Sequence, residues 1–327
     1  MTLKPAIRIG LLGCLCASLP AAVPAPHGTS LVLESKGPPT ECTVFYQRQK
    51  LMVYASDPQK FKPYVKELYT VKGDNLLRDA PADHLHHHAL MYGIRVNGLN
   101  FWEETAGNGV QKPVRWLRQE TGLNPEGLPQ VTLCQLLHWV SPQEAFLADT
   151  SPAALLVERR TLVLTVNEAQ QEVALHWKSE FQVGPKTNQV VLTGANYHGL
   201  GLRFLQELDP LAVHVNSGNT PDLGGNKQDV SRHPWGSVSF DLPAKPVTVA
   251  LFGHPANARG DAWFFTMRTP FAYLSATQEL NQEPLVYHTG DTFALNYLVT
   301  LYPELKSRDA LSQRSQQWEA SLGPAKP

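Results

Sequence analysis

Glu172-Val173-Ala174-Leu175-His176-Trp177-Lys178-Ser179-Glu180-Phe181-Gln182-Val183 sets Val173, Leu175, Trp177, Phe181 and Val183 on one side of an extended chain. Glu172, His176, Lys178, Glu180 and Gln182 fall on the other. Successive side chains of a strand point to opposite faces, so the stretch predicts a half-buried antiparallel strand. Phe293, Leu295, Tyr297, Val299 and Leu301 repeat the pattern near the C-terminus, and Leu162, Leu164 and Val166 give a shorter version. Further runs of β character lie around residues 42–54, 64–71, 88–96, 131–140, 188–193, 200–206, 247–252 and 262–268. Lys72-Gly73-Asp74, Asn97-Gly98, Val183-Gly184-Pro185 and Thr289-Gly290-Asp291 supply turns between them. Only the tail from Arg308 to Leu322 reads as helix, with Leu311, Trp318 and Leu322 at helical spacing and Ser307 available as N-cap. The polar, glycine-rich segment Asn216 to Arg232 reads as a long loop. Many short strands without alternating helices predict an all-β fold, an antiparallel β-sandwich with a short C-terminal helix. No composition break marks a linker, so residues 26–327 are expected to form a single domain.

Of the 327 residues 43% are apolar and 17% charged, which suits a folded protein with an ample core. A formal net charge of −1 with no basic block argues against a nucleic-acid partner. Lys4 and Arg8, an apolar run from Ile9 to Leu19 and the small-residue stretch Ala21-Ala22-Val23-Pro24-Ala25 follow the order of a secretory signal peptide. Residues 1–25 are accordingly expected to be a leader, and the protein periplasmic or secreted. Leu12-Gly13-Cys14 is a weaker pointer to a lipoprotein anchor, because the apolar run before Cys14 is short. No later segment is apolar enough for a transmembrane span. The mature chain would keep Cys42 and Cys134, as one disulfide or as two buried thiols.

Chemistry concentrates in Asp83-His84-Leu85-His86-His87-His88, which holds four of the chain's twelve histidines. Read as a strand, it puts His84, His86 and His88 on one face and His87 on the other. His84 and His86 then have the spacing to share one divalent metal ion, with Asp83, Glu103 or His254 as a third ligand. A cupin site would also want a glutamate shortly after, where Leu90, Met91 and Tyr92 stand. The same imidazoles suit metal-free acid–base chemistry, with Asp83, Glu103 or Glu104 as carboxylate partners. Gly253-His254-Pro255-Ala256-Asn257-Ala258-Arg259 follows an apolar strand and brings three functional groups to its rim. Gly199-Leu200-Gly201-Leu202-Arg203 enters a strand rather than a helix, so no nucleotide cofactor is expected. Trp102, Trp139, Trp235 and Trp263 lie near histidine-bearing or loop segments, and aromatic platforms beside polar groups suit a sugar ring. The motifs Gly-x-Ser-x-Gly and His-Glu-x-x-His and the P-loop are all absent.

Arg78-Asp79-Ala80-Pro81-Ala82-Asp83-His84-Leu85-His86-His87-His88 leads on to Val96-Asn97-Gly98-Leu99-Asn100-Phe101-Trp102, then to Gly199-Leu200-Gly201-Leu202-Arg203 and His254-Pro255-Ala256-Asn257-Ala258-Arg259. In that order and spacing the chain resembles the PmoA-like family, which carries a "methane oxygenase" label. The resemblance spans residues 64 to 302 and departs at His88 and Ala89, where that family commonly has arginine and glycine. It implies a secreted bacterial β-sandwich akin to the galactose-mutarotase-like supersandwich, acting in carbohydrate catabolism. Taken with the residue reading, the leading expectation is an enzyme performing epimerisation, elimination or glycoside cleavage on a sugar. His84, His86, His87 and His254 are the catalytic candidates, and Trp102, Arg203, Asn257 and Arg259 the substrate-binding ones. The alternatives are a histidine-ligated metalloenzyme of oxygenase type and a non-catalytic glycan-binding module.

Overall fold

The alternation in Glu172–Val183 becomes a strand with both edges paired in a computed structural model that describes residues 31–36, 40–145 and 153–322. Its apolar side chains meet their like across the ladder: Leu175 stands opposite Leu164 and Val299, and Trp177 opposite Leu162 and Tyr297. That strand lies inside an eight-stranded sheet ordered Val213–Asn216, Trp235–Phe240, Val247–Gly253, Thr292–Tyr302, Glu172–Val183, Leu156–Asn167, Pro129–Val140 and Val110–Leu123. A nine-stranded sheet packs against it in the order Leu31–Lys36, Glu41–Tyr46, Gln49–Ala55, Tyr64–Leu68, Leu90–Gly93, Gly199–Arg203, Tyr273–Thr277, Trp263–Met267 and Gln228–Arg232. Every strand pairing is antiparallel, which makes the fold the expected antiparallel sandwich. The expected leader, residues 1–25, lies outside the described residues.

One apolar core runs between the two sheets, with Trp139, Trp177, Leu175 and Val299 facing Leu90, Tyr92, Leu200, Leu202 and Leu274. Within it sits a charged pair, Glu158 and Arg160, both fully buried. Arg160 donates from Nε to Glu158 Oε1 at 2.8 Å and from Nη1 to the Pro63 carbonyl at 2.8 Å. Trp139 and Ser179 donate to the Glu158 carboxylate at 2.7 and 2.6 Å. Buried charges persist where every polar atom is paired in this way.

The C-terminal helix, Arg308–Ser321, begins where expected, with Ser307 Oγ accepting from the Ala310 amide. Its Leu311 and Trp318 cover Trp235, Phe252 and Leu298 on the outer face of the eight-stranded sheet. Two expectations resolve differently. The segment Asn216 to Arg232 is not loop throughout, since Gln228–Arg232 adds an edge strand to Trp263–Met267. Its polar sequence hides this because an edge strand exposes much of its surface. Cys42 and Cys134 are both buried free thiols, so of the two readings open for them the structure selects that one.

Candidate functional site

Four central strands of the nine-stranded sheet, Leu90–Gly93, Gly199–Arg203, Tyr273–Thr277 and Trp263–Met267, carry the site on their outward face. Alternation sends Leu90, Tyr92, Leu200, Leu202, Leu274 and Ala276 to the core. Met91, Phe265, Met267 and Tyr273 therefore form a separate aromatic cluster outside, together with Trp102 and Phe271. Gly201 lies opposite Met91 and Ser275, and Arg203 opposite Tyr273. A Cβ on Gly201 would stand 1.8 Å from Tyr273 Oη and 3.2 Å from the Trp102 ring, so a glycine there forms the floor on which Tyr273 lies.

The histidine run is not a strand. His84 N–H donates to the Pro81 carbonyl at 2.9 Å and His87 N–H to the His84 carbonyl at 2.8 Å, which makes two successive turns; the strand opens only at Leu90. The expected sharing of one face by His84, His86 and His88 is thereby corrected. Turns bring His84, His86 and His87 together, with ring centroids 4.7 Å apart for His84–His87, 4.6 Å for His86–His87 and 5.9 Å for His84–His86. His87 is buried, and its ring packs 5.6 to 5.9 Å from Phe271, Trp102 and Tyr273. Burial, reinforced by the neighbouring His86, His84, Arg203 and Lys62, holds its pKa down at about 3, so the ring is neutral at pH 7. Half-buried His86 is lowered too, by burial first and then by Lys62. His198 stacks on the Trp102 indole at 5.0 Å, and burial followed by Arg95 depresses it to about 3.

His88 turns away from the other three. Its Nδ1 lies 2.7 Å from Asp79 and its Nε2 2.9 Å from Glu104, and its ring stacks 3.7 Å from Tyr64. Burial opposes its charge, but the two carboxylates prevail and raise its pKa. Lys62, fully buried, donates to the Trp102 carbonyl at 2.6 Å and pairs with Glu104 at 2.9 Å. Burial lowers the Lys62 pKa. For Glu104, burial favours the neutral acid, yet His88 and Lys62 hold the carboxyl down at about 2. Asp79, His88, Glu104 and Lys62 thus form a clamp that joins the histidine turns to the Trp102 segment.

Inside this cluster His87 Nδ1, His198 Nδ1, Trp102 Nε1, Tyr273 Oη, Arg203 Nε and Arg203 Nη1 are buried without a hydrogen-bond partner. Folded proteins leave few such atoms, and here six of them belong to five side chains around one aromatic group. Arg203 contributes its guanidinium 3.4 Å above the Phe271 ring, and burial brings its pKa down to about 10.

The remaining candidates are placed elsewhere. His254 packs on Trp318 of the C-terminal helix and accepts from the Ala256 amide through Nδ1. Asn257 exchanges two hydrogen bonds with the backbone of Asn296. Arg259 donates to the carbonyls of Gln278, Glu279, Glu283 and Pro284, which fixes a loop. This motif follows Val247–Gly253, a strand of the eight-stranded sheet, and so lies apart from the histidine cluster. Among the described residues no three His, Cys, Asp or Glu side chains converge to hold a metal ion, so neither Asp83, Glu103 nor His254 completes a set with His84 and His86. Lys62, His198 and Tyr273 are site residues that the sequence reading did not single out. For His198 the signal was its place beside Tyr197, directly before the Gly199-Leu200-Gly201 strand.

A sheet face floored by glycine, walled by aromatic rings and supplied with neutral imidazoles is the candidate site of this antiparallel sandwich. The chain belongs to a family of unknown function, DUF6807, whose model matches residues 41–316. That match replaces the PmoA-like resemblance, since no PmoA-like family is found. Comparison with curated proteins gives no match. Among solved structures, the GH36 alpha-galactosidase AgaB from Geobacillus stearothermophilus is 12% identical with a TM-score of 0.47 over 83% of this chain and 40% of its own. The alpha-galactosidase from Lactobacillus brevis is 10% identical with a TM-score of 0.46, over 90% of this chain and 42% of its own. A protein assigned as an aldose 1-epimerase from Escherichia coli K12 is 9% identical with a TM-score of 0.41, over 83% of this chain and 98% of its own. The chain thus spans about two fifths of the length of these galactosidases. Among the described residues no helix is long and apolar enough to cross a membrane.

Proposed function

We propose that the protein is a carbohydrate-active enzyme that moves a proton on a sugar, with His87 and His198 as the neutral imidazoles and Trp102 as the platform between them. The observation that carries this reading is the set of six unpartnered polar atoms gathered around Trp102, Tyr273 and Phe271. A sugar ring offers the match: an apolar face for the aromatic rings and several hydroxyls for buried donors and acceptors. A neutral imidazole has one acceptor and one donor nitrogen, so His87 or His198 can accept a proton from the substrate while handing on another, without resting in the charged form that burial disfavours. Tyr273, kept protonated because burial raises its pKa, donates a hydrogen bond to a sugar oxygen. Two neutral imidazoles packed on one indole favour epimerisation over glycoside cleavage, which uses a pair of carboxyl groups. His84 and His86 are the half-buried members of the histidine cluster. The N-terminal charge and hydropathy pattern supports export to the periplasm or medium as part of the same proposal.

The test is to incubate the protein with free hexoses and hexuronates in deuterated buffer and follow anomer ratio and deuterium incorporation by NMR. Turnover that is lost in His87→Asn, with an unchanged far-UV circular dichroism spectrum, is the expected result. Because His87 is held at about 3, turnover should also persist below pH 6.5, where an ordinary histidine would already be charged. Full activity in His87→Asn would remove that residue from the mechanism. A panel in which no sugar reacts, and none raises the melting temperature, would remove the carbohydrate reading altogether.

A further inference from the structure

Among the described residues three lysine or arginine side chains are buried, Lys62, Arg160 and Arg203, each with no more than 2% of its surface exposed. Two obey the rule that a buried charge is paired. Lys62 has Glu104 at 2.9 Å and Arg160 has Glu158 at 2.8 Å. Among the described residues Arg203 has no carboxylate within ion-pair distance, and its Nε and Nη1 have no hydrogen-bond acceptor. The guanidinium lies over the Phe271 ring, 3.4 Å from Cζ.

The acids nearby are otherwise engaged. Asp209 accepts from the Ala272 amide at 2.8 Å, and Asp83, largely exposed, stands 3.0 Å from His84. Arg78, the other cation at this end, donates to Gln206 at 2.9 Å. Between them opens a cavity of about 270 Å³ lined by Arg203, Arg78, Asp83, Gln206 and Asp209. Arg203 thus faces a cavity on one side and, across Phe271, the imidazoles of His84 and His87 on the other. Asp209 and Asp83 act on the guanidinium across this cavity without bonding to it, so its buried Nε and Nη1 stay unsatisfied, and an anionic ligand reaching them would supply the missing acceptors.

We infer that the sugar taken by this site carries an anionic group, a carboxylate or a phosphate, and that Arg203 binds it; the inference rests on the carbohydrate reading above. Arginine suits the task because its planar donor fork matches both groups and keeps its charge when buried. Arg203 is then a specificity-determining residue, separate from the imidazoles that move the proton.

The experiment is isothermal titration of the full chain with glucuronate and galacturonate, with glucose and galactose as neutral counterparts and glucose 6-phosphate as the phosphate arm. At least one anionic sugar should bind about tenfold tighter than its neutral counterpart, as a charge-assisted contact predicts. The better of the carboxylate and phosphate arms names the group. Arg203→Met should erase the preference, bringing the acidic sugar down to the affinity of its neutral counterpart in the same variant, and Arg203→Lys should keep part of it. If Arg203→Met fails to fold, the wild-type ratio decides alone. Equal affinity for acidic and neutral sugars would overturn the inference and leave the sugar site standing. Absence of binding by every sugar would overturn both.

Discussion

Replacing Glu104 by glutamine tests the clamp that positions the site. An ordinary glutamate titrates at 4.5, whereas Glu104 is held at about 2. That gap corresponds to roughly 3 kcal/mol of stability, since each unit is worth about 1.4 kcal/mol. The side chain is only 15% exposed, so solvent screening removes little of it. A depressed carboxylate contributes above its unfolded value and loses the contribution as pH falls from 4.5 towards 2. Glu104→Gln keeps the shape and removes the charge facing His88 and Lys62. Urea unfolding should therefore place the variant roughly 3 kcal/mol below wild type at pH 7, and the difference should shrink to about 1 kcal/mol at pH 3. His88 has the opposite sign, because its pKa is raised: its share is present below about 6.5 and fades as pH climbs through its folded value. The near-ultraviolet circular dichroism of Trp102 should change as well, since Lys62 bridges Glu104 and the Trp102 carbonyl. A deficit equal at both pH values, or below about 1 kcal/mol at pH 7, would refute the electrostatic account of the clamp.

Two further outcomes follow from packing. Arg160→Met should cost about 3 to 5 kcal/mol in urea unfolding by leaving Glu158 charged and alone, and the double variant with Glu158→Leu should recover most of that; a double variant worse than either single one would contradict it. Gly201→Ala should displace Tyr273 and weaken ligand binding at least tenfold with little change in global fold, because a methyl group cannot stand 1.8 Å from Tyr273 Oη; unchanged affinity would mean that the phenol does not touch the ligand.

The sheets were legible because period-two alternation survives wherever one face of a strand is buried, as in Glu172–Val183 and Thr292–Tyr302. Gln228–Arg232 escaped because it is an edge strand of polar residues. The histidine run misled for a local reason. Its neighbours are β-like, and nothing in the side chains of His84 to His88 announces the turn hydrogen bonds to the Pro81 and His84 carbonyls. Turn geometry, rather than strand alternation, then selects which three imidazoles meet. His254, Asn257 and Arg259 form a recognisable strand-end motif, but a motif does not say which sheet its strand joins. His198 and Tyr273 reach the site through pairings between strands far apart in sequence, and no local signal encodes such contacts.

The buried pair Glu158 and Arg160 has a bearing on the site that lies a whole sheet away. Arg160 reaches from the eight-stranded sheet to the Pro63 carbonyl, at the head of a strand in the nine-stranded one. It also holds Gln111 at 2.7 Å, and Gln111 donates to the Tyr92 carbonyl at 2.8 Å, in the strand that follows the histidine turns. Apolar side chains alone would let two sheets settle in several nearly equal offsets. Arg160 on the Pro63 carbonyl and Gln111 on the Tyr92 carbonyl are met together at one offset, and the two act as a key in a keyway. Sliding by a single residue would break the bonds to the Pro63 and Tyr92 carbonyls and leave buried donors unsatisfied, so the outward face inherits a fixed alignment from a lock it never touches.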